Sequence, residues 1–403
     1  MINAYAGIAP RSDLLLLQRL GQRLEGRSFL HINSTSKGGG VAEILHRMLP
    51  ILRSLGVRTR WEVLEGDDPF FDMTKKLHNA LQGSAETFTE AMWEHHREIN
   101  ERNAAALDLE ADAVLIHDPQ PMPLVEHRGG GKWIWRCHID LANPHPGVFE
   151  RLAGYAARYD AAVFSVSKFA RHMPMPEFII TPSIDPLSEK NIPLPDEEVR
   201  AVLERLGIPP DRPMILQVSR FDRFKDPIGV IGAFRMVRRY NDCCLVLAGS
   251  PATDDPEGAA VLEEVQEAAA GDPDIHIRLL PPFSDREINA LQRAAAVVLQ
   301  KSLKEGFGLT VAEALWKGKP VIGGAVGGIP LQIVHGATGY LVHSVEGTAF
   351  RIRQLLNDPE AARRVGEAGR EFVRRHFLIT RQARDYLAIW HSLEHPGEAI
   401  LEV

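Results

Sequence analysis

The chain has 403 residues, 45% hydrophobic and 25% charged, an ordinary globular composition that excludes disorder and allows two cores of roughly 200 residues each. Acidic residues outnumber basic ones, 53 to 46, for a net charge of -7, so neither a nucleic-acid-wrapping surface nor a polybasic membrane patch is expected.

Short apolar runs alternate with longer stretches of helical period, the pattern of parallel strands covered by helices, and the chain is expected to be α/β. In the first half, strands are expected at 28–33, 59–64, 113–117, 133–136 and 161–164, with helices over 41–55, 71–81 and 86–107. Pro182, Pro186, Pro193, Pro195, Pro209, Pro210 and Pro213 then crowd one segment, which holds a lone helical stretch, 196–206, and reads as a linker. The second half restarts with strand 214–219, helix 228–240, strand 244–248, helix 256–270 and strand 275–279. Helix 287–295, strand 297–300, helix 310–316 and strand 320–323 follow, and amphipathic helices over 359–376 and 380–394 come last. This order predicts two doubly wound, Rossmann-like domains facing across a cleft, over 1–206 and 207–380, with 381–403 packing back on the first. Ligands of such domains gather at the carboxyl ends of the strands.

Cys137, Cys243 and Cys244 read as reduced, because a disulfide between adjacent residues would be strained. No Cys/His spacing matches a zinc site. The N-terminal segment lacks the pattern of a secretory signal, and no run approaches the roughly 20 apolar residues that span a bilayer. A cytoplasmic protein without membrane contact is expected.

Three segments could carry chemistry. The first predicted strand runs through Asn33-Ser34-Thr35-Ser36-Lys37-Gly38-Gly39-Gly40 into a helix, where backbone N–H groups, Gly39 and Gly40 among them, can point at an anion; the plain alternative is a structural turn. The G-x-G-x-x-G spacing is absent, which counts against a nicotinamide oxidoreductase. Next, Gln217-Val218-Ser219-Arg220-Phe221-Asp222-Arg223-Phe224-Lys225 delivers Arg220 and Lys225 from a strand end, two cations that suit a diphosphate or form a solvated pair. Last, Lys304-Glu305-Gly306-Phe307-Gly308-Leu309-Thr310-Val311-Ala312-Glu313 is a glycine-rich turn feeding a helix. The N–H groups of Gly308, Leu309 and Thr310 suit phosphate oxygens, and Glu305 and Glu313 suit sugar hydroxyls, although an acid early in a helix also simply favours the dipole.

The Glu305/Glu313 pair, the Ser-Arg-Phe-x-x-x-Lys segment and Ala325-Val326-Gly327-Gly328-Ile329-Pro330 resemble the family 4 retaining glycosyltransferases of the GT-B fold. More narrowly, His31-Ile32-Asn33-Ser34-Thr35, His117-Asp118-Pro119-Gln120-Pro121, Trp135-Arg136-Cys137-His138-Ile139-Asp140 and Pro182-Ser183-Ile184-Asp185-Pro186-Leu187-Ser188-Glu189-Lys190-Asn191 resemble the trehalose glycosyltransferring synthases. The likeness runs from about Ser28 to about Trp390.

It implies reversible transfer of glucose from a nucleoside diphosphate glucose, ADP- or UDP-glucose, to free glucose, giving α,α-1,1-linked trehalose with the donor configuration retained. It also implies that Arg220 and Lys225 hold the diphosphate and Glu313 the ribose, that Glu305 contacts the transferred glucose with Gly306 and Phe307 beside it, and that His138 sits at the anomeric centre. Asp140, Asp118 and Asn33 are then acceptor-side contacts. Same-face attack follows, with the leaving phosphate taking the acceptor proton and no covalent intermediate. No metal or other cofactor is required, though stimulation by Mg2+ is compatible; Asp254 and Asp255 form an acidic pair without a defined coordination geometry. The resemblance suggests a homodimer, and base recognition is expected from backbone groups over 280–284.

One position departs from the family: Asp226 stands where glycine usually follows the lysine, and it is expected to turn away from the phosphates and begin the next helix with Pro227. Two other readings share these motifs. A retaining trehalose phosphorylase would use inorganic phosphate in place of the nucleotide, and a catalytically silent protein would bind the nucleotide sugar without turnover.

Overall fold

In a computed structural model, residues 1–36, 39–249 and 256–397 are described. The chain divides into two compact units, Met1–Ser183 with Ile379–Val403, and Ile184–Leu378.

The first unit opens with α1 (Arg11–Arg23), β1 (Ser28–Asn33), α2 (Gly39–Ser54) and β2 (Arg58–Val63). Helices α3 (Asp68–Leu81) and α4 (Glu90–Ala106) follow, each started by a side chain that accepts an otherwise orphaned amide: Asp67 from Phe70 and Thr89 from Met92. Then come β3 (Ala113–His117), β4 (Lys132–Cys137), α5 (Pro146–Ala156), β5 (Ala161–Phe164) and β6 (Glu177–Ile179). The strands form one parallel sheet in the order β2-β1-β3-β4-β5-β6. Strand β3 reads Ala-Val-Leu-Ile-His and is buried throughout, as a central parallel strand must be. The strand order reverses between β1 and β3, so their carboxyl ends are the expected ligand position of this unit.

The second unit starts with α6 (Asp196–Arg205), β7 (Met214–Val218), α7 (Pro227–Arg238), β8 (Cys244–Gly249), α8 (Pro256–Ala269) and β9 (Ile275–Leu279). It continues with α9 (Asp285–Ala294), β10 (Val297–Gln300), α10 (Leu309–Trp316), β11 (Val321–Gly324), α11 (Ile329–Gln332), β12 (Tyr340–Val342), α12 (Val345–Asn357) and α13 (Pro359–His376). Its parallel sheet runs β12-β11-β10-β7-β8-β9, with the reversal between β7 and β10. The last helix, α14 (Ile379–Glu394), belongs to the first unit and packs on α1 and α2.

Each unit has its own apolar core. In the first, Ile116, Trp133, Trp135 and Phe164 lie at 0–1% exposure with Phe70 and Leu77 of α3 against them. In the second, Ile215, Phe234, Leu245 and Leu299 are equally dry. The boundary expected at residue 206 is displaced to Ser183/Ile184. The proline-rich segment is not a free linker: Asn289 on α9 donates to the carbonyls of Glu189 and Ile192 at 2.8 Å, Arg205 pairs with Glu287 at 2.7 Å, and α6 packs on α9. Cys137, Cys243 and Cys244 are free and buried. Among the described residues no helix is long and apolar enough to cross a membrane.

Candidate active site

Two side-chain clusters lie where the strand orders reverse, one in each unit. In the second unit, Asp222 folds the chain leaving β7 into a short turn by accepting the Lys225 amide at 3.1 Å. That turn places Lys225 Nζ 2.8 Å from Glu305 Oε2, with side-chain exposures of only 17% and 10%. Gln300, the last residue of β10, and Ser302 each donate to the same Oε2 at 3.1 Å. Thr310 Oγ1 in turn donates to Gln300 Oε1 at 3.0 Å. Glu305 is thus fixed by three donors. Gly308, at φ 79°, turns the chain into α10, whose first amides, those of Leu309 and Thr310, have no intrahelical acceptor.

Asp226 adopts the left-handed conformation, φ 50°, which is why glycine suits the position. Here the carboxylate caps α7, accepting the Gly229 amide at 3.1 Å, and pairs with buried Lys301. It is therefore neutralised away from Lys225. Arg220, 64% exposed, makes a 3.7 Å contact with Asp222 and, among the described residues, stands outside the Lys225 network. Glu313 is 3% exposed and lies 3.6 Å from Lys190 Nζ. Behind it, Lys317 donates to Asn191 Oδ1 and to the Glu313 carbonyl, and burial pushes its ammonium down to about 7 against the pull of Glu313. The Phe307 ring is buried against Phe377, so this position has its backbone rather than its ring to offer a sugar.

In the first unit, a row of three imidazoles crosses the ends of β1, β3 and β4. His31 Nδ1 lies 3.3 Å from His117 Nε2, and His117 Nδ1 lies 3.1 Å from His138 Nε2. Burial is the chief reason all three are held neutral, His31 falling to about 3 and the other two well below the usual imidazole value. Buried Arg136 adds its positive charge against protonation of His117 and His138.

Asp118, at the end of β3, sits at φ 64°, a strained conformation for a residue with a side chain. Its Oδ1 accepts the His138 amide at 2.7 Å, which fixes the backbone on which that imidazole stands. Burial raises the Asp118 carboxyl to about 6, only partly offset by that hydrogen bond and by Arg136. Asn33 uses both ends of its amide, accepting from Trp61 Nε1 at 2.8 Å and donating to the Thr35 carbonyl at 2.7 Å. Asp140 closes a local turn on the Ala142 amide at 2.9 Å.

The raised Asp118 carboxyl has a consequence for stability. A carboxyl that binds its proton more tightly folded than unfolded works against folding by about 2–3 kcal/mol above its folded value, and by nothing below the unfolded one near 4. Asp118→Asn tolerates the left-handed backbone and keeps an acceptor for the His138 amide. It is expected to raise the unfolding midpoint by about 5 °C at about pH 8 and by nothing at about pH 4, followed by thermal denaturation. An equal gain at both pH values would show that the charge is not responsible.

Residues 31–171 match the trehalose synthase N-terminal domain family, and residues 199–372 match the glycosyl transferases group 1 family. The chain is 45% identical to the trehalose synthase of Rubrobacter xylanophilus over 96% of each chain. It is 44% identical to that of Pyrococcus horikoshii, over 96% of this chain and 95% of the relative. The chain belongs to the trehalose synthase family of glycosyltransferases. Its fold is that of the sucrose-phosphate synthase of Thermosynechococcus elongatus, with a TM-score of 0.70 at 20% identity, covering 91% of this chain and 99% of that one. The α/β, GT-B reading of the sequence therefore holds.

On this trehalose synthase scaffold, Lys225, Glu305, Gly308, Leu309 and Thr310 come together in the second unit, and His138 and Asp118 in the first. Gly39 and Gly40 form the start of α2 itself rather than a loop before it; Lys37 and Gly38, like Asp254 and Asp255, lie outside the described residues. Among the described residues no cluster of three or more His, Cys, Asp or Glu could hold a metal ion. Sequence reasoning gave no role to Gln300 and Ser302 on Glu305, to Lys190 on Glu313, or to His31 and His117 behind His138. The available signal was polar residues set in apolar strands, since His31, His117 and Gln300 all interrupt or end such runs.

Proposed function

We propose that this trehalose-forming glycosyltransferase moves glucose from ADP- or UDP-glucose to free glucose with retention, and that the reaction runs in both directions. The observation that supports it most is the Lys225–Glu305 pair, 2.8 Å apart at the β7/β10 reversal and next to the amino end of α10. A cation and free amides suit a leaving diphosphate, and a carboxylate suits the hydroxyls of the hexose bonded to it. Arg220 joins Lys225 on the diphosphate, and Glu313 takes the ribose.

In the transfer, the bond between C1 of the donor glucose and its phosphate oxygen breaks and a bond from C1 to the acceptor O1 forms on the same face. The acceptor proton passes to the departing phosphate, so atoms balance without a covalent enzyme intermediate. Glu305 is tied to Lys225 and Glu313 lies beside Lys190, which favours hydroxyl binding over nucleophilic attack by either. Lys225 and Arg220 supply the charge that this chemistry needs at the phosphate, and Mg2+ is expected at most to stimulate it.

The test is product analysis by NMR after incubation with glucose and ADP-, UDP- or GDP-glucose. Formation of α,α-trehalose with release of nucleoside diphosphate is expected for the ADP or UDP donor. Cleavage of trehalose by phosphate but not by ADP or UDP would replace this reading with a phosphorylase, and binding without turnover would replace it with a silent nucleotide-sugar protein. His138→Ala is expected to fold normally and lose at least about a hundredfold in turnover, the scale of one positioned polar group. Near-full activity in that variant would remove the histidine from the reaction.

A further inference from the structure

The three imidazoles follow from strand register. His31 pairs with Leu115 across β1 and β3, and His117 stands two residues further along; His117 pairs with Arg136 across β3 and β4, and His138 again stands two further along. Residues two apart on a strand share a face, so the three rings lie on one diagonal of the sheet. Their planes are nearly parallel, 23° apart for His31 and His117 and 12° for His117 and His138. The row starts at His138, which is partly exposed, and ends at His31, which is fully buried against Phe29. At that end Nε2 of His31 is buried and has no hydrogen-bond partner among the described residues.

Proton counting on this row is strict. A neutral imidazole carries one N–H and one bare nitrogen, and each of the two contacts needs one of each. If His117 carries its proton on Nδ1, it donates to His138 Nε2, which forces His138 to be Nδ1–H; its bare Nε2 then requires His31 to be Nδ1–H. If His117 is Nε2–H, the same reasoning makes both neighbours Nε2–H. No mixed arrangement keeps both hydrogen bonds.

We infer that His31, His117 and His138 share one tautomer and change it only together, so that His31 and His117 are positioning residues that set whether His138 Nδ1 donates or accepts. Nδ1 is the nitrogen that the row leaves for a ligand, because Nε2 is held by His117. The charged groups that act on the row, Arg136 on His117 and His138 and Arg53 on His31, disfavour an imidazolium anywhere along it. The row therefore orients protons and does not store one. That Nδ1 meets a sugar rests on the transferase reading; the shared tautomer does not.

The decisive measurement is long-range proton–nitrogen NMR of the full chain labelled with 15N-histidine near neutral pH, with His31→Asn, His117→Asn and His138→Asn to assign the three rings. Three neutral rings of one tautomer are expected. Two different tautomers, or an imidazolium at any of the three, would overturn the inference whether or not the protein makes trehalose. In the transfer assay, His117→Leu is expected to lower kcat at least about tenfold with little change in KM, whereas His117→Asn, whose amide occupies the place of Nδ1, recovers to within about threefold. An asparagine variant no better than the leucine one, or a fully active leucine variant, would remove the positioning role. If His117→Leu fails to fold, the NMR result on the unaltered chain decides.

Discussion

Lys225→Ala is expected to lower turnover by at least about a hundredfold, the effect of removing one preorganised group from a site of developing charge. Two losses combine. On the proposed reading the leaving diphosphate loses a fixed cation, and Glu305 loses the partner that lies 2.8 Å away. The carboxylate then keeps only Gln300 and Ser302 on Oε2, in a position just 10% exposed. A partly buried charge left without its counterion costs stability as well, so folding is checked by the thermal midpoint before activity is compared. Glu305→Gln separates the two effects, because it keeps hydrogen bonding while removing the charge. If Lys225 acts mainly on the diphosphate, nucleotide affinity falls in Lys225→Ala and is nearly unchanged in Glu305→Gln, as titration calorimetry with ADP or UDP can show. Arginine at 225 keeps the charge but not the compact point geometry, and only partial recovery is expected. A Lys225→Ala enzyme within about threefold of the parent would contradict the assignment of this lysine to the phosphate.

Much of the architecture could be read in the sequence because central parallel strands leave an unbroken apolar signature. Strands β1, β3, β5, β9 and β10 appear at the expected residues, and the other expected strands differ by one residue at one or both ends. The elements that escaped have physical reasons. β6 and β12 are three residues each, too short for any periodicity. The Leu14–Leu17 run of α1 is four consecutive apolar residues with only Leu17 fully buried, and it carries no clean helical stripe on its own. α5 begins at Pro146, a good first helical residue that also resembles a turn signal. The proline-rich segment begins at a real change of domain, but the boundary expected at residue 206 falls on the wrong side of α6, because tertiary contacts, with α9 and with Glu313 and Lys317, attach that segment to the second unit.

At the site, residues near in sequence were easier to find than residues brought together by topology. Arg220, Lys225 and the 305–313 loop are local motifs. By contrast, His31 and His117 are 86 residues apart and meet because β1 and β3 are neighbours in the sheet. Lys190 reaches Glu313 from a segment read as linker. Asp226 shows the reverse case: the family's glycine preference and the aspartate found here both follow from one left-handed backbone position, with the acid offset by a helix cap and by Lys301.

Gly327→Ala is expected to abolish most activity although residue 327 lies in a different segment from every charged group of the site. Gly327 has φ 55°, and a Cβ there would lie 1.8 Å from the Glu305 carbonyl oxygen, 2.7 Å from its carbon and 3.0 Å from the Gly306 oxygen. These are backbone atoms and cannot rotate aside. The segment is fastened to the same loop just beyond the contact, since the Gly328 amide donates to the Gly306 carbonyl at 2.7 Å and Gln332 donates to the Phe307 carbonyl at 2.5 Å. Relief therefore requires the 305–308 turn to move, carrying Glu305 away from Lys225 and shifting the α10 amides proposed to meet the phosphate. A displacement near 1 Å at reacting groups is enough for about a hundredfold loss in turnover. Gly336→Ala isolates the backbone term: its φ is 81° and its Cβ would meet nothing within 4 Å. Both variants carry the left-handed penalty of about 1–3 kcal/mol, seen as a lowered unfolding midpoint, but only Gly327→Ala meets a clash. Turnover at full nucleotide-sugar saturation is expected to stay near the parent value in Gly336→Ala and to collapse in Gly327→Ala. Equal activity in the two variants would mean that the 305–308 turn tolerates displacement, and that the placement of Glu305 beside Lys225 does not govern transfer.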